Sequence, residues 1–146
     1  MRRRSALAAA LALVPAVSLG ACGEAEEPAA RQSASGSGAI ELTVLYDDGS
    51  GRKTTGTLTC RGADRRAEGA LDAGASPTEL CAHARGIAEL LTSEPDEGRA
   101  CTQIYGGPET AVVTGTIDDD KVDRRFARTN GCELADFKRA AGLLQP

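Results

Sequence analysis

Residues 101–108, with the sequence CTQIYGGP, are the part of this chain whose residue types and spacing most clearly suggest chemistry. Cys101 stands two residues before Gln103, and a Gly-Gly-Pro sequence ends the segment at Pro108. A cysteine on one side and this turn sequence on the other predict an extended loop whose two ends are held in place. Proteases bind substrates as extended strands, through main-chain hydrogen bonds and side-chain pockets. Because a loop already fixed in that shape binds with little ordering cost, the segment is suited to binding a protease.

The start of the chain indicates export and attachment to a membrane. Three arginines follow Met1, and residues 6–17 are apolar apart from Pro15. The apolar run is shorter than the ~20 residues that a membrane-spanning helix needs. Residues 19–22, LGAC, resemble a bacterial lipobox, whose cysteine is lipidated after cleavage. We therefore expect residues 1–21 to be a lipoprotein signal peptide, and Cys22 to anchor the protein by lipid at the outer face of the bacterial membrane. The alternative is an ordinary signal peptide with a free cysteine beside the cleavage point.

The mature chain is expected to be acidic and to begin with a flexible linker. Removal of residues 1–21 takes away three arginines and no acidic residue, which leaves 14 basic and 21 acidic residues and a net charge of −7. This charge argues against a nucleic-acid partner and against electrostatic attraction to anionic lipid. After Cys22, residues 23–39 contain no large apolar side chain, so they are predicted to be a flexible linker with a reach of ~20–25 Å.

The cysteines indicate disulfides in the remaining domain, residues 40–146. Of five cysteines in the chain, Cys22 lies outside this domain. The other four, which allow three pairings, are Cys60, Cys81, Cys101 and Cys132. The chain has no Trp and only four Tyr and Phe residues, so covalent bridges are expected to compensate for a small core. Zinc is the alternative use of four cysteines, but the sequence contains no Cys-x-x-Cys pair.

Hydrophobic alternation predicts two antiparallel hairpins. Apolar residues alternate from Ile40 to Tyr46, and the Thr-rich residues 54–60 are the predicted return strand after a turn at 47–51. Residues 110–117 and 122–129 are predicted to form the second hairpin, around a DDDK turn. Three consecutive acids also raise the alternative of calcium, but further ligands at the spacing of a binding loop are missing. Residues 61–75 are predicted to be a polar loop.

Two capping sequences predict two helices. Ser76-Pro77-Thr78-Glu79 precedes apolar residues at 80, 81, 84, 87, 88 and 91, and Pro95 stops this helix. Asn130-Gly131-Cys132-Glu133 opens a shorter helix with three predicted inward side chains and Gly142 at its end. These three are Leu134, Phe137 and Ala141. Together the elements predict an α+β fold, an antiparallel sheet with two helices packed on one face.

The sequence does not favour an enzyme. The only histidine, His83, lies in the first predicted helix, and no nucleophile motif accompanies it. A Cys-His dyad is disfavoured because the four domain cysteines are expected to be oxidised. We therefore interpret His83 as an ordinary helix residue, and expect neither catalysis nor a cofactor.

From Ile40 to Phe137, and most clearly through the sequences CTQIYGGP and RTNGCE, the chain resembles the Streptomyces subtilisin inhibitor family of small secreted serine protease inhibitors. The resemblance implies a sheet of five strands, often able to form a homodimer through its open face. It also implies two disulfides, Cys60 with Cys81 and Cys101 with Cys132.

The same resemblance implies the reactive bond, Gln103-Ile104. Gln103 would enter the specificity pocket of a subtilisin-like protease, with a trypsin-like enzyme as the alternative target. The implied protease-contacting loop consists of Ala100, Cys101, Thr102, Gln103, Ile104 and Tyr105. A tied loop would keep the new amine of Ile104 beside the acyl-enzyme, so that religation competes with hydrolysis. The alternative function is a lipid-anchored envelope binding module that keeps the fold but does not inhibit proteases.

Overall fold

Five antiparallel strands form one sheet in the computed structural model, which describes residues 38–96 and 98–144. The strands are β1 (Ile40–Asp47), β2 (Lys53–Arg61), β3 (Asp64–Gly69), β4 (Thr110–Ile117) and β5 (Asp120–Phe126). Their order across the sheet is β3-β2-β1-β4-β5, so β1 is central and β3 and β5 are the edges. The helices are α1 (Pro77–Gly86), α2 (Ala88–Thr92) and α3 (Gly131–Leu144), and a 3-10 helix at Ala70–Ala73 precedes α1. The predicted α+β fold is confirmed.

The alternating pattern of β1 explains why one face of the sheet is covered. Ile40, Leu42 and Val44 are buried, whereas the side chains between them are exposed. The helices pack against the buried face, and one continuous core includes residues from every strand and helix. The largest side chains that are fully buried are Phe126, Ile40, Leu58, Leu91, Leu143, Leu144, Val113 and Val122. The other face of β1 carries Glu41, Thr43 and Leu45 to the surface.

The prediction of a polar loop after Cys60 is wrong, because β3 pairs with β2 there. Ala67 is the one buried side chain of β3, so this edge strand shows no apolar alternation. The second hairpin is confirmed, but β5 begins and ends earlier than the predicted residues 122–129. Its turn is shorter than predicted and consists of Asp118 and Asp119, with φ of 51° and 75°. Positive φ at both central residues is characteristic of a type I′ two-residue hairpin turn.

The first predicted helix is interrupted. The helical conformation ends at Gly86 and resumes at Ala88, while Ile87 between them has φ −113° and ψ 17°. Ile87 is nevertheless buried, so the apolar stripe continues across both helices. The predicted start is confirmed: the Ser76 hydroxyl accepts a hydrogen bond from the Glu79 amide at 3.3 Å. The Glu79 carboxylate in turn accepts one from the Ser76 amide at 3.0 Å.

The second predicted helix, α3, is longer than expected. Gly142 lies inside it, two residues before its last residue, Leu144, so the predicted end is wrong. Phe137 is buried as predicted, but Leu134 and Ala141 are only half-buried. Among the described residues, no helix is long and apolar enough to cross a membrane. The predicted lipidation site, Cys22, and the signal peptide lie outside the described residues.

Both disulfides implied by the resemblance are confirmed. The Cys60–Cys81 bridge joins β2 to α1 inside the core. The Cys101–Cys132 bridge joins the segment between α2 and β4 to the first turn of α3. The two bridges therefore lie in different surroundings, one among packed elements and one at an irregular segment.

Candidate functional site

Residues 100–108 form a loop at the surface, which we call the tethered loop. Residues 100–107 belong to no helix or strand. Ile104 and Tyr105 are 53% and 66% exposed. Among the described residues, the only other exposed large apolar side chain is Leu45, at 39%. Exposed apolar side chains that lie together often mark a binding surface. The loop thus exposes two neighbouring apolar side chains at the surface.

Two main-chain hydrogen bonds flank the Gln103-Ile104 bond. On one side, the Gly131 amide donates to the Thr102 carbonyl at 2.9 Å. On the other side, the Gly106 amide donates to the Arg128 carbonyl at 2.7 Å. Both partners belong to residues 128–132, which we call the anchor segment. The three residues between the two bonds, 103–105, are exposed and connect the two points at which the loop is attached to the anchor segment.

A covalent link supplements these hydrogen bonds. Cys101 is bonded to Cys132, and both residues are half-buried. The disulfide and the Gly131–Thr102 hydrogen bond therefore fix adjacent positions of the loop to adjacent positions of the anchor segment. Such a double attachment restrains both the position and the direction of the main chain that leads into Gln103.

The anchor segment is itself held by the start of α3. The Asn130 side-chain oxygen accepts hydrogen bonds from the amides of Cys132 and Glu133, both at 3.0 Å. Asn130 is thus the N-cap, as its sequence predicts. The returning bond differs from the predicted capping box, because the Glu133 carboxylate accepts from the Thr129 amide at 3.1 Å and from the Thr129 hydroxyl. These contacts order the residues to which the loop is tied.

Two glycines let the loop and α3 approach closely. A Cβ atom on Gly131 would lie 2.0 Å from the Thr102 hydroxyl oxygen, and one on Gly106 would lie 2.7 Å from a methyl carbon of Leu134. Atoms cannot come this close without displacement. The absence of side chains at these positions therefore permits both main-chain hydrogen bonds.

The Gly-Gly-Pro end of the loop packs against the turn between β1 and β2. A Cβ atom on Gly49 would lie 2.4 Å from Pro108, and Gly49 has a φ of +75°. The turn is ordered by Asp48, whose carboxylate accepts hydrogen bonds from the Ser50 hydroxyl at 2.7 Å and the Ser50 amide at 2.8 Å. These bonds hold the pKa of Asp48 below its ordinary value. The turn supports the loop where it leads into β4.

Arg128 adds an ion pair at this end of the loop. Its guanidinium lies 2.7 Å from the Glu109 carboxylate, and both side chains are mostly buried. The same guanidinium lies 5.5 Å from the centre of the Phe137 ring. Arg128 therefore connects the residue after Pro108 with α3, in addition to its carbonyl contact with Gly106.

The structure brings together the predicted loop residues and separates them from the histidine. Ala100, Thr102 and Gln103 are exposed, like their apolar neighbours. His83 instead lies on α1 beside Gly142 of α3, and its Nε2 atom is buried without a hydrogen-bond partner. Within residues 38–96 and 98–144, no group of three or more His, Cys, Asp or Glu side chains could hold a metal ion. The four domain cysteines, being paired as disulfides, offer no thiolate for zinc.

A buried charge network beneath the loop is the feature that sequence reasoning missed. Arg124 on β5 and Asp136 on α3 are both buried, with 6% and 9% of their surface exposed. They border an open cleft of about 830 Å³ that is also lined by Arg99, Cys101 and Gln103. Charged residues are ordinarily assigned to the surface, so neither stood out in the sequence. The spacing of Arg124 between the buried Val122 and Phe126 was the available signal.

No protein-family model matches the chain, and no curated protein matches it.

Proposed function

We propose that this protein is a serine protease inhibitor that presents the tethered loop to the protease as a substrate, with Gln103-Ile104 as the reactive bond. One observation carries the proposal: hydrogen bonds on both sides of this bond, and a disulfide on one side, attach the loop to a single anchor segment. The exposed Gln103-Ile104 bond lies between these attachments.

The restraint suits inhibition because it limits what happens after cleavage. A protease serine would attack the Gln103 carbonyl, form an acyl-enzyme and release the amine of Ile104. The Thr102 and Gly106 hydrogen bonds lie outside the cleaved bond, so both new ends would stay attached to the anchor segment. The amine would then remain close enough to attack the acyl-enzyme, expel the serine and restore the peptide bond. High effective concentration favours this religation over hydrolysis by water.

Side-chain exposure supports the same proposal. Gln103 is exposed and available to a specificity pocket, and Ile104 and Tyr105 offer apolar surface on the other side of the reactive bond. A few anchoring side chains carry most of the binding energy in protein interfaces. A loop that is already ordered also avoids much of the entropic cost of binding.

The direct test is titration of the protein against subtilisin-like, trypsin-like and chymotrypsin-like proteases. We expect stoichiometric inhibition of at least one enzyme, and a single slow cut that creates a new N-terminus at Ile104. A protein that is digested at many sites, or that leaves every protease active and stays intact, would contradict the proposal. The second result would favour a binding module with a non-protease partner.

Substitution of Gln103 tests the reactive bond itself. Gln103→Lys should redirect inhibition toward trypsin-like enzymes, because a pocket with a buried carboxylate accepts a cation and rejects an uncharged side chain. Gln103→Gly should weaken binding to a subtilisin-like enzyme by about 1–3 kcal/mol, the value of filling an apolar pocket. Ala82→Lys is the control, since it adds the same charge at an exposed position of α1. Unchanged inhibition by both Gln103 variants would rule out Gln103-Ile104 as the reactive bond.

We further propose that Cys22 anchors the inhibitor to the outer face of the membrane, on the strength of the LGAC sequence. Stable attachment requires more than one acyl chain. Wild-type protein should sediment with membranes and Cys22→Ala should not, and an unmodified Cys22 in the mass spectrum of the mature protein would exclude this anchoring.

A further inference from the structure

We infer that Asp136 is a positioning residue. Through two arginines, Arg99 and Arg124, it holds in place the segment that leads into the tethered loop. The approach segment, described at residues 93–96 and 98–99, leads from the end of α2 to the loop. Asp136 lies on α3, and its side chain is 13% exposed. The effect of this residue on inhibition depends on the proposed function, whereas its effect on the position of the segment does not.

The first contact is with the end of the segment nearest the loop. The Arg99 guanidinium lies 3.2 Å from Oδ2 of Asp136. Arg99 is two residues before Cys101, so the ion pair ties the main chain immediately before the disulfide to α3. The Arg99 side chain is 45% exposed, while its partner is almost covered.

The second contact reaches the other end of the segment through a buried arginine. Arg124 lies 3.3 Å from the same oxygen of Asp136, and its side chain is 8% exposed. The other terminal nitrogen of Arg124 donates to the Ser93 carbonyl at 3.2 Å. Ser93 is the C-cap of α2. One carboxylate oxygen therefore connects, directly or through Arg124, to both ends of the approach segment.

The segment has few other restraints. Its described residues are exposed. At its start, the Ser93 amide donates to the Glu89 carbonyl of α2 at 2.9 Å. The further main-chain hydrogen bonds of its described residues are local ones to Asp96, from the Gly98 amide at 3.0 Å and the Arg99 amide at 3.3 Å. Apolar burial cannot fix a segment that exposes its side chains. The charge network holds the segment in place instead. The main chain that leads into the Cys101–Cys132 disulfide is therefore already positioned.

Burial makes this network sensitive to the loss of one member. Removing one partner from a buried ion pair leaves the other charge uncompensated. Loss of the Asp136 charge would leave Arg124 and Arg99 without their shared partner beneath the loop. The segment would then move more freely, and the acyl-enzyme would lose its leaving amine to solvent more often.

The experiment measures the position of the segment separately from inhibition. Hydrogen exchange of peptides that cover residues 94–102 would be followed in the free protein, with peptides from β1 and β4 as internal references. Arg99→Gln should raise exchange in the segment about two- to fivefold and leave the strands unchanged, since an ion pair with a partly exposed partner contributes modestly. Arg99→Lys should restore most of the protection.

Arg139→Gln is the matched control. Arg139 lies on α3, lines the same cleft and is exposed, and no ion pair with it occurs among the residues that the structure describes. It should leave exchange in the segment unchanged. Asp136→Asn should raise exchange at least as much as Arg99→Gln, because it also removes the charge that Arg124 contacts. The double variant should be no worse than Asp136→Asn alone, because Arg99 has by then already lost its charged partner. If Asp136→Asn does not fold, Arg99→Gln and its rescue by Arg99→Lys still test whether the Arg99–Asp136 ion pair positions the segment.

The inhibition assay then tests the functional consequence. The slow cut at Gln103-Ile104 should be about two- to fivefold faster in Arg99→Gln than in wild type or Arg139→Gln. Exchange equal to wild type in Arg99→Gln, or an equal increase in Arg139→Gln, would overturn the inference. If wild-type protein inhibits no protease, the proposed function fails, and the exchange data still decide whether Asp136 positions the segment.

Discussion

The two disulfides share their chemistry but lie in opposite surroundings. Cys60 and Cys81 are 6% and 7% exposed and belong to the hydrophobic core between β2 and α1. Cys101 and Cys132 are half-buried and join an irregular loop to a helix start. The core bridge connects elements that also pack together, whereas the loop bridge acts where apolar packing is sparse. A disulfide can therefore reinforce a core or substitute for one.

The difference has a thermodynamic consequence. A bridge stabilises chiefly by restricting the unfolded chain, more so for longer loops. The loop bridge spans 31 residues and the core bridge 21, so this effect alone slightly favours the loop bridge. Loss of the loop bridge, however, would also free residues in the folded state. That gain of folded-state entropy offsets part of the loss, and the core bridge should matter more for stability.

The largest expected effect follows from removal of the core bridge. Cys60→Ala with Cys81→Ala should lower the free energy of unfolding by about 3 kcal/mol, measured by urea denaturation. Cleavage at Gln103-Ile104 should keep its wild-type rate under conditions where the variant is folded. Faster cleavage in the folded variant would erase the distinction between the bridges.

Removal of the loop bridge should have the converse effect. Cys101→Ser with Cys132→Ser should lower stability less than the core variant, yet speed net cleavage of the reactive bond on the order of 100-fold. The reason is that the new amine of Ile104 can drift away before religation. Cleavage would be followed by mass spectrometry during incubation with the inhibited protease. Equal rates in variant and wild type would remove the functional role of this bridge.

A smaller effect is expected at the hydrogen bond beside the loop bridge. Gly131→Ala would place a Cβ atom 2.0 Å from the Thr102 hydroxyl oxygen, and relief of such a clash costs about 1–2 kcal/mol. Inhibition should weaken by about tenfold, as measured by the inhibition constant. Thr102→Ala added to Gly131→Ala should recover most of this loss, since it removes the clashing oxygen. Failure of the second substitution to restore inhibition would show that the contact is not limiting.

The smallest effect concerns the helix that carries the core bridge. Hydrogen bonds from the Ser76 hydroxyl and amide lower the pKa of Glu79. The resulting stabilisation of α1 is present above the ordinary glutamate pKa of about 4.3 and is lost as the pH falls through the lower pKa of the folded state. Thermal unfolding between pH 6 and pH 2 should therefore depend less on pH in Glu79→Gln than in wild type. Parallel profiles would exclude this contribution.

Sequence reasoning succeeded where local signals and tertiary structure agree. The alternation from Ile40 to Tyr46 identified the central strand, and Ser76 with Glu79 identified the start of α1. The disulfide pairing, by contrast, came from resemblance alone, since four cysteines permit three pairings. Local patterns thus defined elements but not the covalent topology.

The failures have a common physical cause. β3 carries charged residues and one buried alanine, so only its pairing with β2 makes it a strand. Arg124 and Asp136 are buried because they compensate each other across β5 and α3. The two hydrogen bonds that flank Gln103-Ile104 likewise join residues far apart in sequence. Features that depend on distant partners leave little trace in local composition.

The charged edges of the sheet affect how the molecule behaves at high concentration. An unpaired strand edge can recruit the edge of another chain and begin a fibril. β3 and β5 are the two edges, and most of their residues are charged and exposed. Lysine and arginine on edge strands oppose such pairing. The protein can therefore expose apolar side chains such as Ile104 and Tyr105 at its surface while the edges of its own sheet oppose pairing with other chains.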